Sequence, residues 1–228
     1  MKKITLTAFG IASLFLMNSC SNTPKEKVEE VTEQVAEEIE NQIKLTPFTE
    51  SPEYTEAMLE LNTPNEGDNL EIGEVTFDFN VKNYELGSQT SDAESKMCAN
   101  SAKGQHIHLI LNNEPYSAHY EPEVKKELEE GNYTVLAFIS RSYHESIKNP
   151  EAYILRNITV GNPGESNIDL TAPHMFYSRP KGTYNGPDAK KVMLDFYLAN
   201  TEISAEGNKV KATINGEEFM IDTWKPHF

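Results

Sequence analysis

The sequence is poor in cysteine, with only Cys20 and Cys98 in 228 residues. No disulfide framework can be built from so few. Basic residues are scarce as well: 20 Lys and Arg stand against 36 Asp and Glu, a formal net charge of −16. A field of that sign repels phosphate backbones, so no nucleic-acid partner is expected, and it argues against a polybasic membrane-surface binder. Beyond residue 19 no apolar run approaches the roughly 20 residues of a membrane-spanning helix. Catalytic signatures are missing too. There is no Gly-x-Ser-x-Gly elbow, no phosphate-cradling glycine loop and no His-Glu-x-x-His helix. Ser140 and Ser142 lie near His144, but closeness along the chain does not make a triad. The chain is therefore read as a non-enzyme.

What is present begins at the N-terminus. Lys2 and Lys3 precede an almost uncharged apolar run over residues 4–17. A basic start, a short apolar core and a small residue before the cut describe a secretory signal. Met17-Asn18-Ser19-Cys20, followed by polar Ser21-Asn22-Thr23-Pro24-Lys25, resembles the lipobox of bacterial lipoproteins. Met17 and Asn18 stand where Leu and Ala or Ser are commoner. The resemblance implies removal of residues 1–19, acylation of Cys20 and anchoring in the cell envelope, at a bacterial outer membrane. Cleavage removes two lysines, so the formal charge of −16 becomes −18. Cys98 is then a lone thiol, read either as a small buried hydrophobe or as a soft ligand.

Residues 20–69 read as an acidic stalk and linker. Val28, Val31, Val35, Ile39 and Ile43 recur at spacings of 3, 4, 4 and 4, an amphipathic helical stripe that ends at Thr46-Pro47. The stretch 48–70 is rich in Pro, Glu and Asn, with a short helix expected over 52–61.

From Leu70 the period changes to two. Val75-Thr76-Phe77-Asp78-Phe79-Asn80-Val81 alternates as a half-buried strand. His106 to Leu111 reads as a strand, Asn112-Asn113 as a hairpin turn, and Tyr116 to Tyr120 as its return. Leu128-Glu129-Glu130-Gly131-Asn132-Tyr133 then leads into the apolar run Thr134 to Ile139, an entry that resembles the late strands of bacterial immunoglobulin-like domains. Short strands between turn signals predict an all-β, immunoglobulin-like antiparallel sandwich over residues 70–161. Residues 162–191 read as a connector.

An internal repeat predicts a second, related module over residues 192–228. Val75, Asp78, Phe79, Asn83 and Glu85 match Val192, Asp195, Phe196, Asn200 and Glu202 in order, and Leu111-Asn112-Asn113-Glu114 parallels Ile214-Asn215-Gly216-Glu217. Nothing in the second copy corresponds to residues 127–160. Standing alone it would leave apolar strands open, so a fragment lacking roughly 30–40 closing residues is expected.

His106-Ile107-His108 is the sharpest chemical feature. Residues two apart on a strand share a face, so both imidazoles point the same way and can chelate a transition metal, copper or zinc. His119 on the hairpin return, His144 after the long apolar strand, and Cys98 complete the candidate ligand set. The repeat carries Lys209, Lys211 and Asp222 at the places of His106, His108 and His119, so the scaffold does not itself demand histidine there. Binding is expected to weaken as ordinary imidazoles protonate, between roughly pH 7 and 5. The His-x-His strand with its later histidines resembles a small His-rich exported sandwich domain of unassigned function. The whole chain resembles exported Bacteroidota lipoproteins loosely labelled phosphopeptide-binding, but Arg141, Arg156 and Arg179 are too scattered in sequence for a phosphate clamp. The expectation is a lipid-anchored envelope module that binds a metal or small ligand. Its alternative is a structural or protein-interaction lipoprotein that meets an envelope partner through edge strands, with no metal.

Overall fold

The computed structural model describes residues 43–48, 50–166 and 168–228. Cys20 and the helical stalk expected before residue 43 lie outside the described residues. Lys44–Phe228 forms one compact unit.

Its framework is an antiparallel sandwich. One sheet has the order β1-β3-β6, from β1 (Met58–Thr63), β3 (Gly73–Lys82) and β6 (Glu123–Leu128). The other has the order β2-β8-β7-β4-β5, from β2 (Asn69–Leu70), β8 (Tyr153–Val160), β7 (Gly131–Ser140), β4 (His106–Leu111) and β5 (Ser117–His119). Among the described strands only β2 and β8 pair in parallel. The first core lies between the sheets. Alternation drives it: Val75, Phe77 and Phe79 of β3 and Val124 and Leu128 of β6 meet Ile107 and Leu109 of β4 and Val135, Ala137 and Ile139 of β7. At the turn into β7 the Tyr133 hydroxyl donates to the Glu129 carbonyl at 3.0 Å. That bond, from a tyrosine opening a strand back to the chain just upstream, is the tyrosine corner of immunoglobulin-like sandwiches.

A third layer lies over the outer face of the five-stranded sheet. It is the ribbon of β9 (His174–Arg179) with β10 (Asp195–Ala199); the hairpin of β11 (Val210–Ile214) with β12 (Glu217–Ile221) packs Val210, Ala212 and Ile221 against Phe196 and Leu198, on the other face of β10. Ile110, Leu136 and Phe138 point outward from β4 and β7 and bury against Phe176 and Tyr197. Both faces of β4 and β7 are therefore covered, which is why their burial is nearly unbroken where β3 alternates.

Three expectations change here. The stretch 48–70 holds no helix at 52–61. Met58-Leu59-Glu60-Leu61 alternates, buries Leu59 and Leu61, and pairs with β3 as β1, so the sandwich begins well before residue 70. The connector 162–191 contains β9, which supplies half of the outer ribbon. Residues 192–228 do not start a separate sandwich. Phe196, Leu198 and Ile221 are 3%, 3% and 2% exposed, packed with Leu45 and Trp224, so the open apolar face from which missing strands were expected does not occur. The internal likeness is real at the backbone level: Asn83 and Asn200 share φ of 55° and 54°, and Asn112 and Asn215 share φ of 52° and 49°. It stops at pairing, because β3 sits between two strands and β10 beside one.

Candidate metal centre

The interface between the five-stranded sheet and the third layer holds the histidines. His106 and His108 share the outer face of β4, opposite Ser140 and Phe138 of β7, and both are fully buried. His144 reaches them from the turn that follows β7. In this turn the Arg141 N–H donates to the Glu145 carbonyl and the His144 N–H to the Arg141 carbonyl, both at 2.9 Å. His144 takes a left-handed φ of 71°, uncommon for a side chain other than glycine and a mark of a backbone held by its surroundings. Those surroundings are explicit. The Ser142 N–H donates to Thr90 Oγ1 at 2.9 Å, Glu145 accepts from Ser51 Oγ at 2.6 Å and pairs with Arg141, and the Ser146 N–H donates to Asp195 Oδ2 at 2.9 Å.

Three ring nitrogens converge. His106 Nε2 is 2.9 Å from His108 Nε2 and 3.0 Å from His144 Nδ1, and all three atoms lie within 4.8 Å of one another. The Gly104 carbonyl, 2.8 Å from His106 Nδ1, can only accept, so the ring proton sits on Nδ1 and Nε2 carries a lone pair. Ser178 Oγ lies 3.3 Å from His108 Nδ1 and can accept from it in the same way. A neutral His106 has one in-plane lone pair at Nε2, yet two neighbouring nitrogens point at it. A cation between the three satisfies all of them. With bonds of about 2.0 Å, neighbouring ligands of a square-planar ion sit about 2.8 Å apart and those of a tetrahedral ion about 3.3 Å, so spacings of 2.9 and 3.0 Å suit neighbouring positions on copper or zinc, while the spread of up to 4.8 Å, beyond the roughly 4.0 Å that two such bonds span, requires a small ring movement for all three to bind.

Electrostatics keep the rings neutral. Burial pushes His106 down to about 4 and His144 to about 2, and sends His108 well below its ordinary value, while Arg179 acts in the same direction on all three. Protons therefore do not compete for the lone pairs near neutral pH. Around the cluster, the Tyr116 ring stacks on His108 at 3.7 Å and 8°, Tyr120 lies against His106, and Tyr116 Oη stands 3.4 Å from His144 Nδ1.

Of the residues expected to share the site, His106, His108 and His144 come together; His119 and Cys98 do not. A two-residue turn at Asn112-Asn113 would set His119 opposite His106. The observed register sets it opposite Ile107, one residue out, and a shift of one reverses the face. Tyr116, Ala118 and Tyr120 take the outer face instead, and His119 bonds to Ser117 Oγ at 2.7 Å. Cys98 packs in a separate cluster with Phe48, Tyr143 and Met193, where burial pushes its thiol up to about 11, far from the thiolate that a metal needs. Tyr116, Ser178 and Arg179 were not foreseen at the site. Tyr116 and Tyr120 were legible as alternate positions of the return strand. Ser178 and Arg179 belong to β9, whose place over β4 no local pattern signals.

No protein-family model matches the chain, and no curated protein matches it. Among the described residues, no helix is long and apolar enough to cross a membrane.

Proposed function

We propose that this protein is a lipid-anchored cell-envelope binding module, not an enzyme, that takes a transition metal ion, copper or zinc, on His106, His108 and His144. One observation carries the reading: three neutral imidazoles, His106 and His108 fully buried and His144 partly so, turn ring nitrogens toward one another, with two contacts of 2.9 and 3.0 Å that one proton cannot satisfy together. The supporting shell fits a ligand site as well. Gly104 and Ser178 face the far nitrogens of the two strand histidines, the arrangement that fixes tautomer and ring orientation in metal centres. The anchor rests on the Cys20 motif, and Cys20→Ser should leave the protein without an acyl mass and soluble in envelope extracts. The metal reading is tested by titrating the chelator-stripped protein with copper and zinc, with elemental analysis of the product. Close to one metal ion per chain is expected. Equal binding by wild type and the His106→Ala, His108→Ala double variant would remove the site.

A further inference from the structure

Arg179 lies deep in the same interface, 5% exposed, and makes no ion pair among the described residues. Its Nη1 donates to Tyr116 Oη at 2.8 Å, and that oxygen stands 3.4 Å from His144 Nδ1. Its Nε is buried with no hydrogen-bond partner. Asp195 faces Arg179 across the β9–β10 pairing, but its oxygens are engaged elsewhere: Oδ1 accepts from Lys148 Nζ and Oδ2 from the Ser146 N–H, each at 2.9 Å. Lys181 adds a second cation, its ammonium on the Tyr116 carbonyl.

The local charge is therefore one-sided. The three imidazoles are neutral, the charged side chains acting on His108 and His144 are Arg179 and Lys181, and a metal ion would bring further positive charge. Burying charges of one sign is costly, and a counter-charge that enters with them offsets that cost. We propose that the site takes an anion together with its metal, a small carboxylate or similar oxyanion with one oxygen on the metal and another on the Arg179 Nε edge. This rests on the metal reading above. The class follows from the guanidinium donors: the Nε edge offers N–H groups that one oxygen of an oxyanion accepts, and a second oxygen of the same group remains for the metal.

The test uses the copper(II)-loaded protein and azide as a coloured anion, with acetate as competitor. A saturating charge-transfer band should appear with azide and fade with acetate. Arg179→Gln should weaken both anions tenfold or more while copper affinity holds or rises, because a nearby positive charge has gone. Arg179→Lys, which keeps the charge and loses the fork, should fall between, and it serves as the informative variant if the glutamine form does not fold. An azide band of equal strength in wild type and both variants overturns the proposal, as does bound copper with no azide band. A visible copper–tyrosinate band lost in Tyr116→Phe overturns it too, since Tyr116 would then be the anion. Failure of copper to bind wild type at all instead overturns the metal reading and this inference with it.

Discussion

The Nε2 atoms of His106 and His108 lie 2.9 Å apart on one face of β4, and neither side chain reaches solvent. A pair of strand histidines in water would hydrate separately. Here the β9–β10 ribbon has excluded water and left the two lone-pair nitrogens facing each other and His144. The strength of the site therefore depends on the third layer as much as on its ligands.

The ligand set predicts a graded series. His108→Ala and His106→Ala should each lower copper affinity by more than about 100-fold. Ser178→Ala, which removes the partner of the far nitrogen of His108, should cost about 10-fold. His119→Ala and Cys98→Ser should leave affinity unchanged, because neither side chain belongs to the cluster. Calorimetric titration of the five variants checks the order. A loss with Cys98→Ser as large as with His108→Ala would contradict the geometry.

Much of the sandwich could be read in advance because alternation is local. Val75, Phe77 and Phe79 announce β3, and the chain entering β7 at Tyr133 announces its corner. β1 was missed because Pro and Glu around it suggested a linker, although Leu59 and Leu61 alternate. The site was half legible. His106 and His108 follow from a period of two on one strand, and His144 from its place just after β7. His119 was misplaced by one residue of register: Pro115 has no N–H to pair, and the hairpin return starts one position later than a two-residue turn would give. Ser178 and Arg179 depend on a contact between segments some seventy residues apart, which no short-range pattern encodes.

Acid should destabilise the metal-free protein. The unfolded chain takes up protons on histidine below about pH 6.5, whereas burial holds folded His106 and His119 near 4. Their contribution to stability is complete above about pH 6.5 and is lost as the pH falls toward 4. His106 alone accounts for on the order of 3 kcal/mol across that window. Urea midpoints at pH 7.5, 6 and 5 should fall in that order. In His106→Phe the decline should be visibly shallower, and an unchanged slope would show that these rings do not titrate as their burial requires.

The tyrosine corner predicts a smaller, local effect. Tyr133→Phe keeps the ring and removes only the bond to the Glu129 carbonyl. The cost should be about 1 kcal/mol, typical of one intramolecular hydrogen bond, with copper affinity unchanged. A loss of copper binding would mean that the corner acts on the site and not only on the entry to β7.

Removing Tyr197 should damage both stability and the site. Its ring stacks on Phe138 at 4.8 Å and 17° and meets Trp224 edge-on at 5.2 Å, while Phe138 lies 5.0 Å from the His108 ring. Tyr197→Ala would leave a cavity between the five-stranded sheet and the ribbon, at a cost of about 3–5 kcal/mol, as for other large aromatic deletions. Water reaching Phe138 would then compete for the His108 nitrogen, and copper should dissociate faster although every ligand remains. In wild type the amides of β10 should exchange as slowly as those of β7, since both strands lie beneath the same aromatic packing. In Tyr197→Ala, exchange should rise first in β9 and β10, with a shift in Trp224 fluorescence, before the inter-sheet core around Phe77 opens. Rapid exchange of β10 in the wild-type protein would mean that the ribbon does not seal the histidines, and that the neutrality and strength expected of the cluster lack their physical cause.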